Sequence, residues 1–280
     1  MIELPDLPNE TLIMLAILLI ALVFLVFYAI VNMIDMAYVM YAKRPLYRFL
    51  IPPFSKLSKP HLKVLETQFP FYSKLSQKNK RVFQHRLAKF IKRKNIVGRD
   101  GLVVNDDMIV LISATSIMLT LGFRDYALRG VKHIIVYPSI FYSNTNESHH
   151  KGEYNPKLET LVFSWEHFLE GYDVTNDNLN LGIHEFAHAI HLNSLKNKDV
   201  SATIFVDGFS KLTAMLSDNK SLKNRLISSE YFRDYAFTNQ FEFIAVLIEN
   251  FIETPQEFKS QFPSIYVSIK QMLNFNFKGY

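Results

Sequence analysis

From Thr11 to Ile34 the chain runs for 24 residues without a charge, a glycine or a proline, and Leu, Ile, Val, Ala and Phe dominate the run. A helix of that length is about 36 Å long, enough to cross a hydrocarbon core of about 30 Å with some tilt. No core helix of a small domain needs so long an unbroken apolar surface, so the segment predicts one transmembrane helix. Apolar character continues past Asp35 through Met36 to Tyr41, where Tyr38 and Tyr41 suit a membrane interface. A cleaved signal peptide fits poorly. Glu3, Asp6 and Glu10 precede the run with no Lys or Arg, and no small-residue cleavage site follows it.

This divides the chain into a short extracytoplasmic tail (1–10), a transmembrane helix with its interface (11–41), a connector (42–58) and one folded domain (59–280). Pro45 and Pro52-Pro53 make the connector short and stiff. Lys43, Arg44, Arg48 and Lys56 follow the helix while no basic residue precedes it. The positive-inside rule therefore puts the N-terminus outside and the folded domain in the cytoplasm, at the cell membrane. The absence of cysteine excludes disulfides and is compatible with either compartment.

The net charge of +5 is uneven. Between Thr67 and Arg99 there is no Asp or Glu but there are ten Lys and Arg. Ser76 caps a predicted basic helix over 77–94 whose apolar stripe is Val82, Phe83, Leu87, Phe90 and Ile91. Its charges serve either as a solvated outer face or as a contact for anionic lipid headgroups. No nucleic-acid motif accompanies them, so no nucleic acid is expected as a partner.

Further helices are expected over Lys59–Gln68, over Met108–Leu121 behind the capping run Asn105-Asp106-Asp107, and from Leu222 onward. His133–Tyr137 and Leu161–Trp165 read as strands. The polar insertion Ser143–Tyr154, with its His149-His150 pair, reads as a surface loop, and the stretch before Asn219 as a linker. The fold class is α+β, mostly helical with a small sheet.

The chemistry concentrates in His184-Glu185-Phe186-Ala187-His188. Two histidines four apart on a helix share one face, so both imidazoles reach one metal ion, and the glutamate between them can act as a general base on water. Leu179, Leu181, Ile183, Phe186, Ala189 and Ile190 surround the motif. A buried pair of imidazoles and a carboxylate is costly to desolvate unless a cation compensates them. The longer metzincin pattern needs Gly at 191 and His at 194, where this chain has His191 and Ser194. That leaves a later carboxylate as third ligand, with Glu230, Glu242, Glu249 and Glu253 as candidates. Glu242 sits among Phe241, Phe243 and Ile244 on a predicted helix, and Glu249 shares its face seven residues on, either as a partner of a ligand or as a substitute for one.

Several ordered segments carry a family resemblance. They are Gly101-Leu102 with Asp106-Asp107-Met108, Leu119–Gly122, Ile134–Pro138, Leu161–Trp165, His184–His188 and Tyr235–Val246. Across about residues 60–275 the chain resembles the MtfA-like family (Mlc titration factor A), the glucose-regulated metallopeptidases. The resemblance implies a gluzincin-like zinc peptidase domain acting on a peptide or protein substrate. It implies Zn²⁺ held by His184, His188 and Glu242, with Glu185 as general base and Tyr235 stabilising the oxyanion. Two departures stand out. Family members often have Leu-Asp where this chain has Ile190-His191, which makes His191 a neighbour of the ligands or a surface group rather than a ligand. The membrane helix is absent from the soluble type member, so that member's regulator partner does not transfer. The alternative function is a membrane-tethered module that sequesters a regulator protein with little peptidase activity.

Overall fold

A computed structural model describes residues 8–47, 55–143, 147–174 and 176–280. The chain forms two compact units, Met1–Leu46 and Tyr47–Tyr280. The first is α1, Asn9–Ala42, a helix long and apolar enough to cross a membrane. From Leu12 to Ile34 nearly all its large hydrophobic side chains are exposed. Lys43 ends it in the left-handed conformation, its N–H returning to Val39 O. Of the expected tail and connector, residues 1–7 and 48–54, including Arg48 and Pro52-Pro53, lie outside the described residues.

In the second unit, α2 (Lys59–Gln68) is capped by Ser58 and followed by the single turn α3 (Pro70–Ser73). The basic helix α4 (Gln77–Arg93) starts where Ser76 accepts the Asn79 N–H, and it buries Val82, Phe83, Leu87 and Phe90. Arg86, drawn from the same basic set, is buried too and donates to the carbonyls of Thr120, Leu121 and Phe123. These carbonyls lie at and just beyond the C-cap of α5 (Asp106–Leu119), so the guanidinium ties down the chain that leaves this helix. Asn105 caps the other end of α5, which is buried almost throughout.

Strands β1 (Asn95–Gly98), β2 (His133–Tyr137), β3 (Phe141–Ser143), β4 (Ser148–His150), β5 (Gly152–Asn155) and β6 (Thr160–Ser164) form two sheets. The larger has the order β1-β2-β6-β5, with β5 antiparallel at its edge and the other pairs parallel. The smaller is the hairpin β3-β4, which pairs His150 with Phe141 and His149 with Tyr142. Among the described residues the polar insertion is therefore not a surface loop but an antiparallel strand pair and an edge strand, each with one partner strand there. Strand β6 stops at Ser164, whose side chain caps α6 (Trp165–Asp173), so Trp165 belongs to the helix rather than to the strand.

The metal-motif helix α7 (Leu181–Lys196) packs on α5, α8 (Val200–Asp218) and α10 (Gln240–Glu253). Helix α8 replaces the expected linker. Asp199 caps it through the Ala202 N–H, and it buries Val200, Ile204, Phe205, Phe209 and Leu212 along one face. The remaining elements are α9 (Lys220–Ser228), a 3-10 turn (Asp234–Phe237), α11 (Pro255–Gln261) and α12 (Pro263–Met272). The class is α+β, mostly helical with a small sheet.

Candidate metal centre

Helix α7 begins where the Asn180 side chain accepts the Ile183 N–H at 3.0 Å. Its first turns are buried on every face, so His184 and Glu185 are 7% and 6% exposed. Helix α10 supplies the opposing group. Asn239 caps it by accepting the Phe241 and Glu242 N–H groups at 2.8 and 3.0 Å, which places Glu242 in the first turn. The helix dipole there favours a negative charge.

The three side chains converge. His184 Nε2 lies 3.0 Å from Glu242 Oε2 and 3.0 Å from His188 Nε2, and His188 Nε2 is 3.4 Å from the same carboxylate oxygen. Tetrahedral ligands at about 2.1 Å from one ion stand about 3.4 Å apart, so the triangle fits one divalent ion of zinc's size. Among the described residues this is the one group of three whose donor atoms come so close. Two imidazole nitrogens facing one carboxylate oxygen form a donor set of nitrogen and oxygen, the mixture zinc accepts.

Behind the triangle stands Glu249, fully buried two turns further along α10 on the same face. It binds His184 Nδ1, and Arg233 clamps it with two hydrogen bonds, Nη1 to Oε2 at 2.7 Å and Nη2 to Oε1 at 2.9 Å. A carboxylate so clamped can only accept, so His184 Nδ1 is the donor in that bond, and Nε2 is the atom left to face the triangle. Burial alone would lower the His184 pKa, but hydrogen bonds to Glu242 and Glu249 carry it up to about 10. Burial would raise that of Glu242. The hydrogen bonds and charges of the two histidines instead hold it well below the usual carboxylate range. Burial pushes the Glu185 carboxyl up, partly opposed by His188 and His184. A raised carboxyl is a stronger base towards water than an exposed one.

Glu185 also lies against the sheet edge. A Cβ built on Gly152 of β5 would stand 2.7 Å from Glu185 Cγ, so the glycine makes room for this side chain. The two walls enclose a cleft of about 580 Å³, bordered by His149 and His150, Gly152, His167, His184, Glu185 and Tyr235. Tyr235, on the 3-10 turn, is half exposed with its ring 5.9 Å from that of His184. Burial and the Glu242 carboxylate push its hydroxyl up to about 12, so it is a proton donor throughout the neutral range.

The structure thus gathers His184, His188, Glu185, Glu242 and Tyr235 at one place. Glu249 holds a ligand histidine from behind and is not itself in the triangle. Glu253 instead accepts from Asn180, and Glu230 lies on an exposed left-handed turn. His191 departs from the surface expectation. It is 3% exposed among the rings of Phe205, Phe209 and Phe241, with Nδ1 unpartnered. Burial, helped by His188, takes its pKa down to about 4, so it is a neutral core imidazole. Arg233 was not visible in the sequence pattern. Nothing in its spacing distinguishes it from the other basic residues.

With that geometry in view, residues 53–274 match the family described as glucose-regulated metallo-peptidase M90. The chain belongs to the M90 family. A more distant relative is an uncharacterized protein of Synechocystis sp., 22% identical over 241 residues that span 78% of this chain and 85% of the relative. Membership of that family implies a metallopeptidase, His184, His188 and Glu242 form a group that could hold a metal ion, and the match begins after the apolar helix α1.

Proposed function

We propose that this M90 protein is a membrane-anchored zinc peptidase whose site is His184, His188 and Glu242 with Glu185 as general base. The observation that carries the reading is the triangle of 3.0, 3.0 and 3.4 Å between three donor atoms on two buried helices. Zinc held there supplies Lewis acidity and makes water a nucleophile near neutral pH.

The residues divide the remaining work. Glu185 takes the proton of the attacking water and passes it to the leaving amine nitrogen. The Tyr235 hydroxyl donates to the oxyanion that develops on the scissile carbonyl, a role suited to a group that keeps its proton. Glu249 and Arg233 keep His184 in one orientation. Strand β5 is the outer strand of its sheet beside Glu185, so an extended peptide can add to that edge through main-chain hydrogen bonds. A domain that only sequestered a partner would have no use for a buried carboxyl at position 185.

Helix α1 spans the bilayer in this reading, with the N-terminus outside and the peptidase domain cytoplasmic, as the basic residues after it support. The basic face of α4 then either stays solvated or touches anionic headgroups.

Glu185→Gln tests the assignment. The variant is expected to retain stoichiometric zinc by elemental analysis and to lose peptide hydrolysis by a factor of at least about 100. Zinc-loaded E185Q that cleaves a peptide library like the parent would refute the role of Glu185.

A further inference from the structure

Of the ten basic residues between Thr67 and Arg99, two are drawn into the fold. Arg86 is buried on the carbonyls that follow α5, and the Lys94 ammonium donates to the carbonyls of Ala127, Leu128 and Val131. Four others line the outer side of α4. Lys78, Arg81, Lys89 and Lys92, with His85 among them, fall within an arc of about 80° at 100° per residue, a stripe about 21 Å long. At the end of the helix the stripe reaches a pocket of about 150 Å³ whose walls carry Arg93, Arg124 and Arg129. Two carboxylates stand there as well, and both are engaged. Asp199 Oδ1 caps α8, and Asp125 Oδ2 lies 3.7 Å from Arg124. Among the described residues Arg81, Lys89, Lys92, Arg93 and Arg129 form no ion pair.

The chain that leads out of α1 is fastened to this same face at two points. Tyr47, five residues beyond the end of α1, packs its ring on the Arg124 guanidinium at 4.8 Å. Ser55 donates its N–H to His85 Nδ1 at 3.0 Å, in the middle of the stripe. Five residues of chain reach at most about 18 Å, so Tyr47 and the arginines beside it stay within that distance of the end of α1. A small soluble anion would occupy the pocket and leave the stripe unmatched. A leaflet of anionic headgroups covers stripe and pocket together, and guanidiniums suit its phosphates.

We propose that the face running from Arg81 through Lys92 and Arg93 to Arg129 docks on the anionic lipid headgroups of the leaflet next to the domain. The inference rests on the membrane-anchored reading of α1. Docking adds a second, electrostatic attachment to the covalent one and holds the peptidase domain by one chosen side.

The chain has no cysteine, so Ala88→Cys gives a single labelling site on α4, one turn from Lys92. The labelled full chain is reconstituted into vesicles of phosphatidylcholine alone or with about 30% phosphatidylserine, and quenching by a headgroup spin label is read. Phosphatidylserine is expected to raise quenching at least about threefold at 0.1 M salt, where the Debye length is about 10 Å, and the gain is expected to vanish at about 0.5 M. Replacing Arg81, Lys89, Lys92 and Arg93 together by Gln is expected to remove the gain, with thermal unfolding and zinc content as checks on the fold. The salt arm needs no variant. Equal quenching in the two lipids, a gain that survives 0.5 M salt, or an unchanged gain in the folded quadruple variant would overturn the proposal. Carbonate extraction from the phosphatidylcholine vesicles reads the anchor by itself. A chain washed off there would refute the anchor, while the difference between the two lipids would still decide the face.

Discussion

Replacing Gly152 by alanine adds one methyl group to β5 and aims it at Glu185. The added Cβ would meet Glu185 Cγ at 2.7 Å, Leu181 Cδ1 at 2.7 Å and Glu185 Oε1 at 2.8 Å, against the 3.4 Å at which ordinary contact begins. The backbone itself accepts alanine, because Gly152 is not among the positive-φ positions, so the effect is one of space alone. Leu181 can swing the end of its side chain aside. Glu185 has less freedom, since its Cγ lies next to a backbone locked in the buried first turns of α7. The carboxyl therefore moves by roughly 0.7 Å, the shortfall in contact distance. A misplacement near 1 Å can cost about 100-fold in rate, so kcat should fall about 10- to 100-fold, or about 1.4–2.7 kcal/mol in the barrier. None of the three triangle atoms is touched, so zinc stoichiometry should be that of the parent. The assay is steady-state hydrolysis of a fluorogenic peptide alongside metal analysis and circular dichroism. A Gly152→Ala enzyme with parental kcat would refute the claim that this glycine clears space for the base, and one that lost its zinc would show that the damage lies elsewhere.

Glu249→Gln keeps the shape of the residue behind His184 but removes its charge. Zinc affinity by chelator competition should drop about 10- to 100-fold, and an unchanged Kd would deny the clamp its role. Glu253 supplies a pH test. Burial, with Glu249 and Asp177 nearby, raises its carboxyl to about 7 in spite of the Asn180 hydrogen bond. A carboxyl whose folded pKa exceeds its unfolded value favours folding below about pH 4.5, and that contribution is lost as pH rises through about 7. Glu253→Gln, always neutral, should therefore gain on the parent between pH 5 and pH 8 by on the order of 1–3 kcal/mol, a few degrees in Tm. A stability difference that is flat across that range would show that Glu253 titrates as an ordinary carboxyl.

What the sequence made legible were features whose signal is local. The uncharged run 11–34 and the motif at 184–188 each declare themselves within a few turns, and the caps Ser76 and Asn105 stand where the side-chain rule puts them. Strand β1 and the edge strands escaped because runs of three or four residues are too short to show a periodicity, and β5 owes its place to pairing with β6. Helix α8 was readable in principle: Asp199 followed by Val200, Ile204, Phe205, Phe209 and Leu212 has helical spacing behind a cap. Its burial comes from α7 and α12, which no short window includes. His191 went astray for the same reason. Its neighbours Phe205, Phe209 and Phe241 arrive from two other helices.

The centre shows why the division falls there. A metal site on one helix needs only a spacing of four, and that spacing is written in adjacent residues. Making the site a working one requires groups from elsewhere in the chain. A carboxylate comes from the first turn of α10, an arginine from before the 3-10 turn, and an absent side chain from an edge strand. Glu242 and Glu249 lie seven residues apart on α10, so one helix face serves His184 from both sides, at Nε2 and at Nδ1. That double contact constrains α10 as tightly as the motif constrains α7. A shift of α10 by a single residue would turn both carboxylates about 100° away and leave His184 buried with neither partner. The pairing of α7 with α10 is thus fixed by electrostatics as well as by packing, and Glu249→Gln probes it, while the Gly152 and Glu185 variants probe the opposite side of α7, where the base meets the sheet edge.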